Sequence, residues 1–165
     1  MTHPTWELEL DQAALVLMPC PGTKESDLQS SLEQLKEQNV GMIVTALSFD
    51  EMASKGVDAL PEMTQTLGMT WAHAPIEDDQ APDAEFAANW QSIQQQADAT
   101  LAQGQKVALH CMGGSGRTGL LAAHLLLARG WSLDKIIPAV QALRPGAFQK
   151  PDQVAYINQF AAQAK

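Results

Sequence analysis

Between His110 and Gly119 the chain reads His-Cys-Met-Gly-Gly-Ser-Gly-Arg-Thr-Gly. A nucleophile, a permanent cation and a hydroxyl thus share one short glycine-rich stretch. The apolar run Val107 to Leu109 precedes it, so a strand should deliver Cys111 into a turn. The glycines permit tight, left-handed backbone and leave their amides uncovered. Successive N–H groups can then curl into a nest for an anion. A helix should leave the turn at about Arg117, aiming its unsatisfied N–H groups and positive dipole end into the same hollow. Arg117 adds a planar fork that suits two phosphate oxygens. An ordinary thiol is only a few per cent ionised at neutral pH, and helix N-termini and neighbouring cations shift that balance toward thiolate. The field that holds a phosphate dianion should therefore also favour the Cys111 thiolate. One set of donors would collect both nucleophile and electrophile, and would stabilise a trigonal-bipyramidal transition state with charge spread over three equatorial oxygens.

Positioning such a turn requires a scaffold. Trp6 to Leu10 and Ala14 to Met18 read as a hairpin or two edge strands. Leu28, Leu32 and Leu35 recur at helical spacing, with Thr23 or Ser26 as N-cap. Gly41 to Leu47 and Met69 to Ile76 read as buried strands, the latter closed by Pro75. Between them, Phe49 to Leu67 reads as one or two short helices interrupted near Pro61. Glu77 to Ala81 forms an acidic loop, and Asp83 caps a long helix whose inward stripe is Phe86, Trp90, Ile93, Ala97 and Leu101. Leu120 to Leu127 is apolar all round, which predicts a covered central helix. Ser132 caps a helix with Leu133, Ile136, Ile137 and Val140 inward, and a last helix carries Val154, Ile157 and Phe160. Strands alternating with helices predict a single α/β unit over 1–165. Its sheet is mostly parallel but mixed, with about four to five strands and helices on both faces. The glycine-rich turn then sits at the carboxyl end of a central strand, where open α/β sheets bind ligands.

Composition narrows the partners. The chain has 165 residues, 45% hydrophobic and 18% charged, which is a globular composition. Lysine and arginine number 10 against 19 acidic residues, for a net charge of −9. Such a surface repels phosphate backbones and anionic lipid, so neither nucleic acid nor membrane is an expected partner. Cys20 and Cys111 are too few for a disulfide framework. Met1 to Pro4 has no signal-peptide pattern, and a cytoplasmic location is expected. His3, His73 and His124 show no ligand spacing, so no metal or cofactor is expected.

The stretch Val107 to Gly119 resembles the protein-tyrosine/dual-specificity phosphatase signature, His-Cys, five residues, Arg, then Ser or Thr. His110, Cys111, Gly114, Arg117 and Thr118 match its fixed positions. The resemblance implies that Cys111 attacks phosphorus and that Arg117 and the amides of Met112, Gly113, Gly114, Ser115, Gly116 and Arg117 bind the phosphate. It further implies that His110 supports the loop and that Thr118 eases thiolate departure from a phosphocysteine. It also implies an acid on an upstream loop. The segment Pro75-Ile76-Glu77-Asp78 is similar to the acid loop of the kinase-associated phosphatase branch and selects Asp78, with Asp79 next and Asp83 read as a helix cap. The likeness extends to Leu17 to Gly22 and to Ala147-Phe148-Gln149, and Gln149 is the position to test for orienting the hydrolytic water. The substrate class implied is a phosphoprotein carrying phosphotyrosine, with phosphoserine and phosphothreonine as a second class.

Other readings compete for the same residues. Gly114 to Gly119 also matches the dinucleotide pattern G-x-G-x-x-G, with Asp134 downstream. That reading fails on context, because Asp134 falls within a helical pattern and the motif ignores Cys111. A phosphate-reading module with little turnover, a rhodanese-like sulfurtransferase and an arsenate reductase all use comparable loops. Cys20 reads as structural, and Arg144 as compensation for a helix C-terminus first and a contact near the phosphate pocket second.

Overall fold

In a computed structural model of the chain, residues 3–11, 13–23, 26–76 and 82–163 are described. Among them, strands β1 (Trp6–Glu9), β2 (Ala14–Met18), β3 (Val40–Thr45), β4 (Thr70–His73) and β5 (Lys106–His110) form one sheet in the order β1-β2-β5-β3-β4. Only β1 runs antiparallel to its neighbour, as the hairpin reading requires. The other pairings, β2 with β5, β5 with β3 and β3 with β4, are parallel. β5 is therefore the central strand, with its carboxyl end at the glycine-rich turn.

Alternation along the strands splits the core into two layers, because successive side chains leave opposite faces. Leu15, Leu17, Met42, Val44, Val107 and Leu109 face helices α4 (Ala84–Ala102), α5 (Gly116–Ala128), α6 (Leu133–Leu143) and α7 (Pro151–Gln163). Val16, Met18, Ile43 and Ala108 face α1 (Leu28–Glu37), α2 (Phe49–Ser54) and α3 (Leu60–Thr66). In α5, Leu120, Leu121, Leu125 and Leu126 are fully buried, each side chain contributing about 1.5–3 kcal/mol relative to exposure. That embedding makes the start of α5 a rigid platform for the turn. The inward stripe of α4 is as its spacing predicts: Phe86, Trp90, Ile93, Ala97 and Leu101 are all buried.

Two local expectations are corrected, and of the two readings for the first strands the hairpin holds. The N-cap of α1 is Asp27, whose carboxylate accepts from the Ser30 amide at 2.7 Å; neither Thr23 nor Ser26 caps it. Ser26 is instead buried and tied to Ser31. Pro61 does not interrupt the segment between β3 and β4 but lies in the first turn of α3, where a missing N–H costs nothing. The break falls at Gly56, with φ of +73°. β2 is an interior strand, paired on both sides, and of the hairpin only β1 lies at an edge. No described helix is long and apolar enough to cross a membrane.

Candidate active site

β5 ends at His110 and the next residue, Cys111, is 3% exposed. Its Sγ accepts from the Gly114 amide at 3.3 Å and from the Thr118 hydroxyl at 3.1 Å. Two donors converging on one sulfur serve a thiolate better than a thiol.

The loop that follows is held from its outer side. The Cys20 amide donates to Met112 O at 3.0 Å. Arg144 donates from Nη2 to Gly113 O at 2.7 Å and from Nε to Gly114 O at 3.0 Å. Because a planar trans peptide sets each carbonyl opposite the next N–H, these bonds turn the amides of Gly113, Gly114 and Ser115 inward. The Gly114 amide on Cys111 Sγ is one of them. Arg144 is at the C-cap of α6, yet its guanidinium goes to the loop, stacked 4.0 Å from the Trp6 ring centre. The contact with the phosphate loop, not helix compensation, is what its side chain makes.

Gly114 has a φ of +81°, and a Cβ there would lie 2.5 Å from the Met18 carbonyl carbon and from Pro19 N. Gly114→Ala should cost at least about 1–3 kcal/mol from left-handed strain, with overlap against immobile backbone adding to it. A lowered denaturant midpoint at unchanged slope would register that loss, and an unchanged midpoint would exclude it.

α5 starts at Gly116, and Ser115 before it makes no side-chain cap hydrogen bond to the first turn. Arg117, one residue on, is 2% exposed. Its Nη1 donates to both Glu51 carboxylate oxygens and to Ile76 O, each at 3.0 Å. Glu51 is held in turn by a reciprocal capping box with Ser48 at the start of α2. The guanidinium plane is therefore fixed from two sides. Burial pushes the His110 pKa down to about 4, so the ring is neutral; its Nδ1 is 3.2 Å from Cys111 O and its Nε2 2.7 Å from Thr45 Oγ1. Burial, aided by Cys111 and Glu51, pushes the Cys20 thiol up to about 12, so that side chain is a neutral neighbour.

The structure thus gathers His110, Cys111, Met112, Gly113, Gly114, Ser115, Gly116, Arg117 and Thr118 at one hollow. Asp78 and Asp79, with the whole stretch 77–81, lie outside the described residues. Asp83 caps α4 by accepting from the Phe86 amide at 3.0 Å. Gln149 is exposed and donates to Pro145 O at 3.2 Å. The glutamine that packs on the loop is Gln153, 1% exposed, whose Oε1 would be 3.4 Å from a Cβ at Gly116. Sequence reading missed Glu51, Gln153 and Thr45, and ranked the loop contact of Arg144 second to helix compensation. For Glu51 a signal existed, since Ser48-Phe49-Asp50-Glu51 has capping-box spacing.

A family model described as a polymorphic toxin system DSP-PTPase phosphatase matches residues 18–131. Cyclin-dependent kinase inhibitor 3 of Homo sapiens is 32% identical over 156 residues, covering 88% of this chain and 71% of its own. Tyrosine-protein phosphatase CDC14 of Saccharomyces cerevisiae is 31% identical over 90 residues, 54% of this chain and 16% of its own. Among solved structures, kinase associated phosphatase with its catalytic cysteine replaced by serine superposes at a TM-score of 0.86. The two share 27% identity, and the match covers 99% of this chain and 97% of the other.

Proposed function

Because this chain belongs to the DSP-PTPase phosphatase family, we propose that it hydrolyses phosphotyrosine, and phosphoserine or phosphothreonine as a second class, on phosphoproteins through a phosphocysteine. The single observation that carries the reading is the convergence on Cys111. Its sulfur receives two donors inside a loop whose Met112, Gly113 and Gly114 carbonyls are tied outward. In the first step the Cys111 thiolate attacks phosphorus in line, and the bond from phosphorus to the leaving oxygen breaks. Asp78 donates a proton to that oxygen. Inward amides and the Arg117 guanidinium hold the equatorial oxygens. In the second step water attacks the phosphocysteine, Asp78 takes its proton, and Thr118 stabilises the departing thiolate through the hydroxyl now 3.1 Å from Sγ. Gln149 is the position to test for orienting that water.

Asp78 is supported by sequence position. Ile76, two residues before it, accepts from Arg117, and Asp83, five residues after it, is committed to capping α4. The loop interior Met-Gly-Gly-Ser-Gly has no lysine, and with a net charge of −9 polyphosphorylated lipid is a poor substrate. Steady-state hydrolysis of an aryl phosphate tests the assignment. Asp78→Ala should lower kcat by roughly 10²–10⁴-fold while inorganic phosphate still inhibits, and Asp79→Ala should leave kcat near wild type. Loss in the Asp79 variant alone would move the acid by one residue. Absence of turnover in the wild type would leave a phosphate-reading module.

A further inference from the structure

We infer that Thr45 and Trp71 are positioning residues for the phosphatase reaction: they set His110 in its Nδ1–H tautomer and so fix the Cys111 peptide plane. The inference rests on the proposed function for its meaning in catalysis, but its geometry stands alone. Strand register builds it. Thr45 on β3 pairs with His110 on β5, and on the other side Ile43 pairs with Trp71 of β4, placing Trp71 one diagonal from Thr45 on the same face. Trp71 Nε1 donates to Thr45 Oγ1 at 2.9 Å, and Thr45 Oγ1 is 2.7 Å from His110 Nε2.

The direction of the chain follows from what each group can do. An indole N–H only donates. The Cys111 carbonyl only accepts, so the His110 nitrogen facing it, Nδ1, must carry a proton. A neutral ring then presents a bare Nε2, which needs a donor, and the Thr45 hydroxyl is the donor beside it. Trp71 occupies a lone pair of Thr45 Oγ1 and leaves the hydroxyl proton directed at His110. A doubly protonated ring would also satisfy both contacts, but His110 is fully buried, with Arg117 and His3 as the further charged or titratable groups acting on it. Burial opposes that charge most, and the Arg117 guanidinium adds positive potential against it.

The consequence reaches the phosphate hollow. With Cys111 O held by His110, the Met112 N–H points the opposite way, into the loop. The carbonyls of Cys111, Met112, Gly113 and Gly114 are then each held by an outside donor: His110, the Cys20 amide, and Arg144 twice. The Trp71–Thr45 chain is what makes the first of these a donor.

Long-range ¹H–¹⁵N correlation on the ¹⁵N-histidine-labelled protein reads the tautomer without any variant. At neutral pH, His110 should show a protonated Nδ1 and a bare Nε2; a His110 protonated at Nε2 overturns the inference. Thr45→Val and Trp71→Phe should yield mixed tautomers, weaken inhibition by inorganic phosphate, and lower kcat/KM by roughly tenfold, the scale of one lost hydrogen bond. Thr45→Ser, which keeps the hydroxyl, should restore all three. Wild-type tautomer and turnover in both Thr45→Val and Trp71→Phe would also overturn it. A wild type that holds the Nδ1–H tautomer but hydrolyses no aryl phosphate would contradict the proposed function instead.

Discussion

Cys111→Ser is expected to bind phosphate esters about as tightly as the wild type and to turn over none of them, a loss on the order of 10⁵ or more in kcat. The substitution keeps size and leaves Gly114 N–H and the Thr118 hydroxyl in place. The loop carbonyls remain tied by Cys20 and Arg144, so the anion-binding amides stay inward. What disappears is the ionisable sulfur. Among the described residues, the Gly114 amide and the Thr118 hydroxyl that contact the sulfur are donors to it, so neither takes a proton from a serine hydroxyl, which is a far weaker acid than a thiol. Binding of a non-turned-over phosphopeptide by calorimetry, together with aryl phosphate kinetics, separates the two effects. Measurable turnover in the serine variant would mean that another group performs the attack.

Arg117→Lys should be the second most damaging change, lowering kcat/KM by roughly 10²–10³-fold with much of the loss in kcat. Charge is conserved, so a purely electrostatic role would be largely spared. The guanidinium does more than carry charge. Its plane is locked by both oxygens of Glu51 and by Ile76 O, and a planar fork matches two equatorial oxygens as they spread in the transition state. An ammonium is a point charge that must choose among Glu51, Ile76 O and the substrate. Steady-state kinetics on an aryl phosphate measure the effect; a lysine variant within a few-fold of wild type would remove the bidentate argument.

The nucleophile loop was legible because its chemistry is local: Cys111, the glycines and Arg117 lie within one turn, between an apolar strand and an apolar helix. The α4 stripe was legible for the same reason, since one face of one helix carries it. What escaped depends on register or on distant chain. Thr45 and His110 meet only because β3 and β5 pair in the register observed, and nothing in the spacing of 65 residues announces it. Arg144 reads first as C-terminal compensation because it stands at the end of α6, but its side chain reaches Gly113 O and Gly114 O while stacked on Trp6 of an edge strand. Asp27 outcompeted Thr23 and Ser26 as cap because Ser26 is drawn inward to Ser31, a burial preference invisible in a list of capping types. Gln153 was missed because a glutamine on an amphipathic helix reads as surface, whereas here it is packed on Gly116.

The central claim is that the displaced phosphoryl group passes through Cys111. Quenching in denaturant within milliseconds of mixing with an aryl phosphate, followed by peptide mass spectrometry, tests it directly. The expected result is one phosphoryl group on the peptide spanning Cys111, absent from the Cys111→Ser protein and chased into free phosphate as turnover proceeds. Rapid hydrolysis with no phosphoryl group on the protein, or with it on any other residue, would contradict the mechanism.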